Sequence, residues 1–377
     1  MNEKEVAELR RRFKADRSAI THVRGCYVNV NKEIVSQFDQ PMSQLSQDEA
    51  ERLLALLRKT LSGSLGKNLT DITFATRQVV EGEEHKRLMA LRDSKLQDEQ
   101  AVQSLFAQII QSLDLEGENY LILLAHDAYD VPYKAKDGAQ MEDASEEVFS
   151  YILCSVCPVK QTKPALSFYV QDNAFHSLSL DWVVAQPEVG FLFPAFDERS
   201  TNLYNALYYC RSTEENHQAF VDGVFRTPAP MAPAAQKETF NSVLGDTLEE
   251  ECCLEVVQAV QDKFTLLAEE HKENHVAEPL TISKNTVKEV LSTCGVPSDK
   301  VVAFGEEFDR QFGDDATVSP RNLMDSKQLE LRTPDVTIKV SADRGDLVET
   351  RVINGAKYIL IRADEGVEVN GVPVHIT

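Results

Sequence analysis

PEVGFLFPAFDERSTNLYNALYYCR, residues 187–211, holds the densest aromatic cluster in the chain: Phe191, Phe193, Phe196, Tyr204, Tyr208 and Tyr209. The apolar run Val189 to Phe196 predicts a strand. Asn202 to Arg211 predicts either a strand or a short helix. Aromatic side chains at this density are first of all core. The polar break Asp197-Glu198-Arg199-Ser200 has two readings: it lines the mouth of a pocket, or Asp197 and Arg199 form an ion pair that fixes a turn.

Working outward, Tyr120–Ala125 and Val148–Val156 are two further apolar strands. The polar connection between them, with Asp137-Gly138 inside it, predicts a long antiparallel hairpin rather than a βαβ crossover. Ala165–Val170 and Val189–Phe196 are expected to join the same sheet. Upstream, Val6, Leu9 and Phe13 recur at helical spacing within residues 3–14. Residues 25–30 and 33–38 read as a hairpin turning at Asn31-Lys32. Ser46 and Glu49 form a capping box before the stripe Leu53, Leu54, Leu56, Leu57 and Leu61. A strand is expected at Asp71–Ala75, a helical region over residues 82–113 broken near Ser94, and a helix over residues 214–225.

Pro228, Pro230 and Pro233 mark residues 227–235 as a linker. Helices follow over 236–244, 248–270, 283–293 and 298–312. Between Asp246 and Glu278 ten acids face two Lys/Arg, which makes an acidic surface. From about Ser326 the pattern turns to strands, with Asn354-Gly355 and Asn370-Gly371 as hairpin turns. The expected class is α+β: an antiparallel or mixed sheet with helices in residues 1–226, the linker 227–235, an acidic helical segment 236–325 and a small β unit 326–377.

The chain has 377 residues, 42% hydrophobic and 27% charged, so it is expected to bury a large core. The net charge of −22 argues against broad attraction to nucleic acid or anionic membranes, although a local basic face remains compatible with it. No stretch approaches the ~18 apolar residues of a membrane span, and the first residues carry no apolar signal core. The seven cysteines show no disulfide framework. A cytoplasmic protein is expected, with no membrane association, no cofactor and no metal; the oligomeric state is left open.

Candidate chemistry is sparse. Ser62 to Asn68, SGSLGKN, falls short of a phosphate-binding loop, because Asn68 stands where a hydroxyl would reach magnesium. Cys154 and Cys157 form a CxxC at a strand end with no second pair, so they read as structural thiols. The pair Cys252-Cys253 is expected inside a helix. His126, Asp127 and Asp130 follow a strand, where a histidine and carboxylates can do acid–base work or simply satisfy a strand terminus. With Asp197 and Arg199 they make a candidate pocket. The first 25 residues carry seven Lys/Arg against four Asp/Glu. Arg10, Arg11, Arg12, Lys14, Arg17 and Arg24 are candidate nucleic-acid contacts, or else a solvated helix face. Residues 282–304 outline a helix-turn-helix, but the second helix is acidic, so an α-helical hairpin is the simpler reading.

The segments ITHVRGCYVNVN, LRKTLSGSLGKNL, LILLAHDAYDVP, FLFPAFDERSTNLYNALYY and VTIKVSADRGDLVETRVINGAKYILIRADEGVEVNGV resemble the family of Firmicute proteins catalogued as domain of unknown function 4317. That resemblance covers essentially the whole chain and implies no activity. More distantly, the layout is similar to proteobacterial nucleoid-associated proteins, with 120–125 and 148–156 as paired strands, 246–312 as the acidic helical middle and 336–376 as the β unit. Three functional classes follow. The first is a non-enzymatic, nucleoid- or nucleic-acid-associated protein using the basic N-terminal face. The second is a protein-interaction or assembly module. The third is an enzyme centred on His126, Asp127 and Asp130.

Overall fold

Alternation along paired strands decides where each side chain of the N-terminal unit goes. The computed structural model describes residues 1–115, 117–134, 140–162, 166–177, 181–325, 328–364 and 366–375. By packing, the chain divides into residues 1–232 with 277–279, and residues 233–276 with 280–377.

In the first unit the order is α1 (Glu3–Arg10), β1 (His22–Val28), β2 (Ile34–Pro41), α2 (Gln47–Lys59), β3 (Leu69–Thr73), α3 (Thr76–Glu81), α4 (Glu83–Asp93), α5 (Glu99–Ser112), β4 (Asn119–Lys134) and β5 (Gln140–Gln161). Then come β6 (Leu166–Tyr169), β7 (Ala174–Ser177), β8 (Trp182–Val184), β9 (Val189–Phe193), β10 (Ala195–Asp197), β11 (Ser200–Asn202), β12 (Asn205–Cys210) and α6 (Gln218–Phe225). The main sheet runs β2-β1-β4-β5-β9-β12-β3, with β8 pairing the end of β5, and every pairing in it is antiparallel. β4 and β5 are the expected hairpin; its Asp137-Gly138 turn lies outside the described residues.

Successive strand residues point to opposite faces. Ile122 and Leu124 therefore pack with Phe191, Phe193 and Tyr208 against α4, α5 and α6. Leu123 and Ala125 pack with Leu192, Leu207 and Tyr209 against α1 and α2. The result is three layers, with a core on each face of the sheet. Phe191, Phe193, Phe196, Tyr208 and Tyr209 are all buried in these cores, while Tyr204 is exposed. Gly190 is required at its position: a Cβ there would stand 2.4 Å from the Cys154 carbonyl oxygen and 2.5 Å from Thr60 Cγ2. That close approach lets Thr60 and Ser155 share a buried 2.6 Å hydroxyl hydrogen bond.

Three expectations change. Residues 166–169 do not join the main sheet; β6 pairs only β7, as a separate two-stranded ribbon between β5 and β8. Ala165 itself lies outside the described residues. Residues 205–210 are a strand, β12, because they fill the register between β9 and β3. Cys252 and Cys253 are not inside a helix, since Cys253 caps the following one.

The second unit contains α7 (Pro233–Leu248), α8 (Leu254–Glu273), β13 (Ile282–Ser283), α9 (Lys284–Thr293), α10 (Ser298–Phe312), β14 (Thr317–Val318) and α11 (Pro320–Leu323). Its strands continue as β15 (Gln328–Arg332), β16 (Thr337–Ser341), β17 (Val348–Ile353), β18 (Ala356–Ile361), β19 (Val367–Val369) and β20 (Val372–Val374). Pro233, placed in the linker by composition, starts α7, a position where the missing N–H costs nothing. Phe240, Phe264, Leu291, Phe304 and Phe308 form the core. Val301, Phe304 and Phe308 commit the inner face of α10 to that core, as an α-helical hairpin requires. The last strands form three separate ribbons, two of them turning at Asn354-Gly355 and Asn370-Gly371 with all four residues at positive φ. Gln261 Nε2 donates to the Asp325 and Gln328 carbonyls at 2.7 and 3.1 Å, tying α8 to the β-rich segment.

Candidate functional site

β4 carries both His126 and Asp127, and being neighbours in a strand sends them apart. Asp127 faces α1, where it is 1% exposed. Its carboxylate accepts hydrogen bonds from Arg12 Nε at 2.9 Å and Nη2 at 3.2 Å, from the Tyr151 hydroxyl at 2.8 Å and from the Ala19 N–H at 3.0 Å. Arg12 also donates to the Ala128 carbonyl at 3.1 Å and stands 4.5 Å over the Tyr129 ring. Burial works against the Arg12 charge, but Asp127 outweighs it, and the guanidinium ends above its ordinary value. Burial, reinforced by the Asp127 charge, pushes the Tyr151 hydroxyl far up.

The network continues on the same face. The Tyr129 hydroxyl donates to Glu8 at 2.6 Å, and burial together with that carboxylate pushes Tyr129 up to about 12. Arg199 Nη2 donates to the same Glu8 oxygen at 2.9 Å, and Nη1 to the Pro132 carbonyl at 3.1 Å. Glu198 and Arg199 both have positive φ, which turns β10 back into β11. Asp197 accepts from Asn202 Nδ2 at 2.6 Å and pairs with the Met1 ammonium, whereas Arg199 pairs with Glu8. The Asp197–Arg199 turn pair is thus replaced by two separate attachments, both holding the N-terminal segment to the sheet.

His126 lies on the opposite face, where Nε2 meets the Ser150 hydroxyl at 2.8 Å. Burial lowers its pKa, with a smaller lowering contribution from Lys95 and Arg92. Asp130 is exposed. The candidate pocket is therefore divided: Asp127 and Arg199 share a network, Asp197 sits beside it, and His126 and Asp130 stand elsewhere. What the network does chemically is hold α1. Among the described residues no group of three or more His, Cys, Asp or Glu side chains is placed to hold a metal ion.

The same alternation separates the CxxC thiols. Cys154 packs with the α4–α6 side and Cys157 with the α1–α2 side. Burial pushes both thiols up, Cys157 to about 12. Asn68, the residue that fails the phosphate-loop pattern, donates to the Cys210 and Arg211 carbonyls at 3.1 and 3.2 Å.

The basic N-terminal face is also divided. Arg12 is turned inward on Asp127. Arg24 shares the sheet face of Cys26 and Val28, away from α1, and donates to Leu96 O at 3.3 Å and to Glu99. Arg10, Arg11, Lys14 and Arg17 remain exposed. Lys14 and Arg58 line one open groove of about 450 Å³, together with Phe13, Asp16 and Glu51.

The ribbon β6–β7 stands apart from the main sheet. Leu166 faces Ser177 and Phe168 faces Phe175 across it, the two phenyl rings 5.1 Å apart. Among the described residues nothing covers them. Leu166 is 69% exposed, Phe175 64%, and Val170 in the connecting turn 82%. Gln161 pairs with Trp182, so the ribbon's two ends meet at the β5–β8 pair, and Trp182 is 55% exposed. The available signal was charge. Residues 166–184, LSFYVQDNAFHSLSLDWVV, hold two aspartates, one histidine and no Lys or Arg in a chain that is 27% charged.

These features define an α+β protein with a mainly antiparallel sheet covered on both faces, a second unit of helices and ribbons, and an uncovered aromatic arm. The chain belongs to the family described as domain of unknown function (DUF4317), whose model matches residues 1–372. No match is found among curated proteins. No helix among the described residues is long and apolar enough to cross a membrane.

Proposed function

We propose that this protein is a non-enzymatic protein-interaction or assembly module that docks through the β6–β7 arm. The observation that carries this reading is the uncovered apolar face of the ribbon. A lone two-stranded ribbon is marginal in water, and monomers rarely expose contiguous apolar patches beyond a few hundred Å². Leu166, Phe168 and Phe175 share one face of the ribbon, with Val170 at its turn, and together expose roughly 500 Å². The test is nuclease-treated capture by the full chain against Phe168→Asp/Phe175→Asp, with hydrogen exchange read on residues 166–184. Arm-dependent partners that protect those amides support the reading. An identical set of captured proteins with the arm unprotected overturns it.

A second reading keeps one specific observation in its favour: Lys14 and Arg58 on one groove, with Arg10, Arg11 and Arg17 exposed nearby. On that reading the module is nucleoid- or nucleic-acid-associated. Binding to short duplex DNA would weaken steeply with salt and be lost in Arg10→Glu/Arg11→Glu. Absence of binding at low salt removes it.

A further inference from the structure

The uncovered arm poses a question of occupant. We propose that the occupant is a second copy of this chain, the two arms packing face to face about a two-fold axis. The proposal rests on the interaction reading and adds the partner.

Area is the first argument. A standard interface takes about 800 Å² from each partner, and the arm face that carries Leu166, Phe168, Val170 and Phe175 exposes roughly 500 Å². One such face against another buries roughly 1,000 Å² in all, the size of a weak, reversible interface.

Charge is the second. At −22, two copies repel over most of their surfaces. Residues 166–184 carry only Asp172 and Asp181 as full charges, with His176 placed 3.7 Å from Asp172. The arm is where a like-charged copy approaches at least cost. A partner selected by charge would need lysines or arginines to read, and the arm has none.

Symmetry is the third. An isologous contact needs a surface that complements itself. The cross-strand pairs Leu166–Ser177 and Phe168–Phe175 put three apolar side chains and one hydroxyl on a shared face, with no full charge among them. Such a face meets its own copy with only the Ser177 hydroxyl to satisfy.

Apolar contact and like charge together give a distinctive signature. Apolar association opposed by like-charge repulsion strengthens as salt screens the repulsion, whereas charge-matched association weakens. Sedimentation equilibrium of the full chain across a salt series reads this directly. The expected result is a monomer–dimer equilibrium that tightens with salt. Phe168→Asp/Phe175→Asp is expected to weaken it by about 10- to 100-fold, as central aromatic contacts do. Val170→Lys, at an 82% exposed turn position that cannot upset folding, provides the same loss if the double variant is misfolded by circular dichroism. A chain that stays monomeric at all concentrations and salts, while arm-dependent capture of other proteins persists, overturns the second copy and leaves the interaction reading standing. A dimer unaffected by either variant also overturns it. Loss of both dimer and capture from a folded, unaltered arm would refute the two readings together.

Discussion

Replacing Asp127 by asparagine tests whether Arg12 is part of the fold or part of a surface. The side chain of Asp127 is 2% exposed and that of Arg12 15%. Asparagine keeps the shape of the acceptor but removes its charge. The Arg12 guanidinium is then left against Tyr129 and the Ala128 carbonyl with no counter-charge, and the Tyr151 and Ala19 donors share a weaker acceptor. Removing one partner of a buried pair costs about 3–5 kcal/mol. A solvent-exposed pair is worth only about 0.2–1 kcal/mol. For a unit of this size the larger loss lowers Tm by about 10 °C. Urea unfolding followed by far-UV circular dichroism reads the free energy, and the cycle with Arg12→Met isolates the pair. Because both charges leave together, Asp127→Asn/Arg12→Met is expected to recover most of the loss. A loss below about 1 kcal/mol would refute the reasoning. It would mean that Arg12 leaves Asp127 freely, and the guanidinium would return to the basic face.

Two further predictions concern groups set by the sheet. Thiol titration of the native chain should show fast reaction at Cys253 and Cys294, slower reaction at Cys252, and protection of Cys26, Cys154, Cys157 and Cys210 until denaturant is added. Burial raises all four protected thiols, and a Cys154–Cys157 disulfide on mild oxidation would contradict their placement on opposite faces. His126 has a folded pKa lowered from 6.5 by burial, so the native state resists its protonation. Its contribution is intact above about pH 6.5 and is lost as pH falls from there toward the lowered value. The stability difference between wild type and His126→Gln should therefore be constant above pH 7 and move in favour of the variant on acidification; a flat difference down to pH 5 rejects the assignment.

How far the sequence could be read follows from which periodicity applied. The β4–β5 hairpin, the capping box at Ser46 and the Asn-Gly turns were legible because each rests on local chemistry that tertiary packing leaves alone. The candidate site was not, because spacing in sequence has no meaning until the element is fixed. His126-Asp127 suggests a pair, and Cys154 to Cys157 suggests a redox motif, yet odd spacings in a strand divide the members between two cores. Arg24 left the basic face by the same rule. Arg12 escaped prediction for a different reason. It lies just past the end of α1, where helical periodicity no longer says which way a side chain points, and its partner is 115 residues away.

The arm shows the complementary case, in which the local pattern was right and the tertiary assignment was not. Leu166-Ser167-Phe168 alternates as any strand of a half-buried sheet would, so it was assigned to the main sheet. That sheet has no place for it: β9 occupies the edge of β5 over Ile152–Val156, and β8 takes Val159–Gln161. An apolar strand excluded from its own sheet must find another surface or stay exposed. Exposed apolar ribbons favour association, and a net charge of −22 opposes it. On the proposed pairing, repulsion between two copies is least where uncharged surface meets uncharged surface. Screening that repulsion with salt then leaves the apolar contact to act alone, which is why the proposed pair is expected to tighten as salt rises.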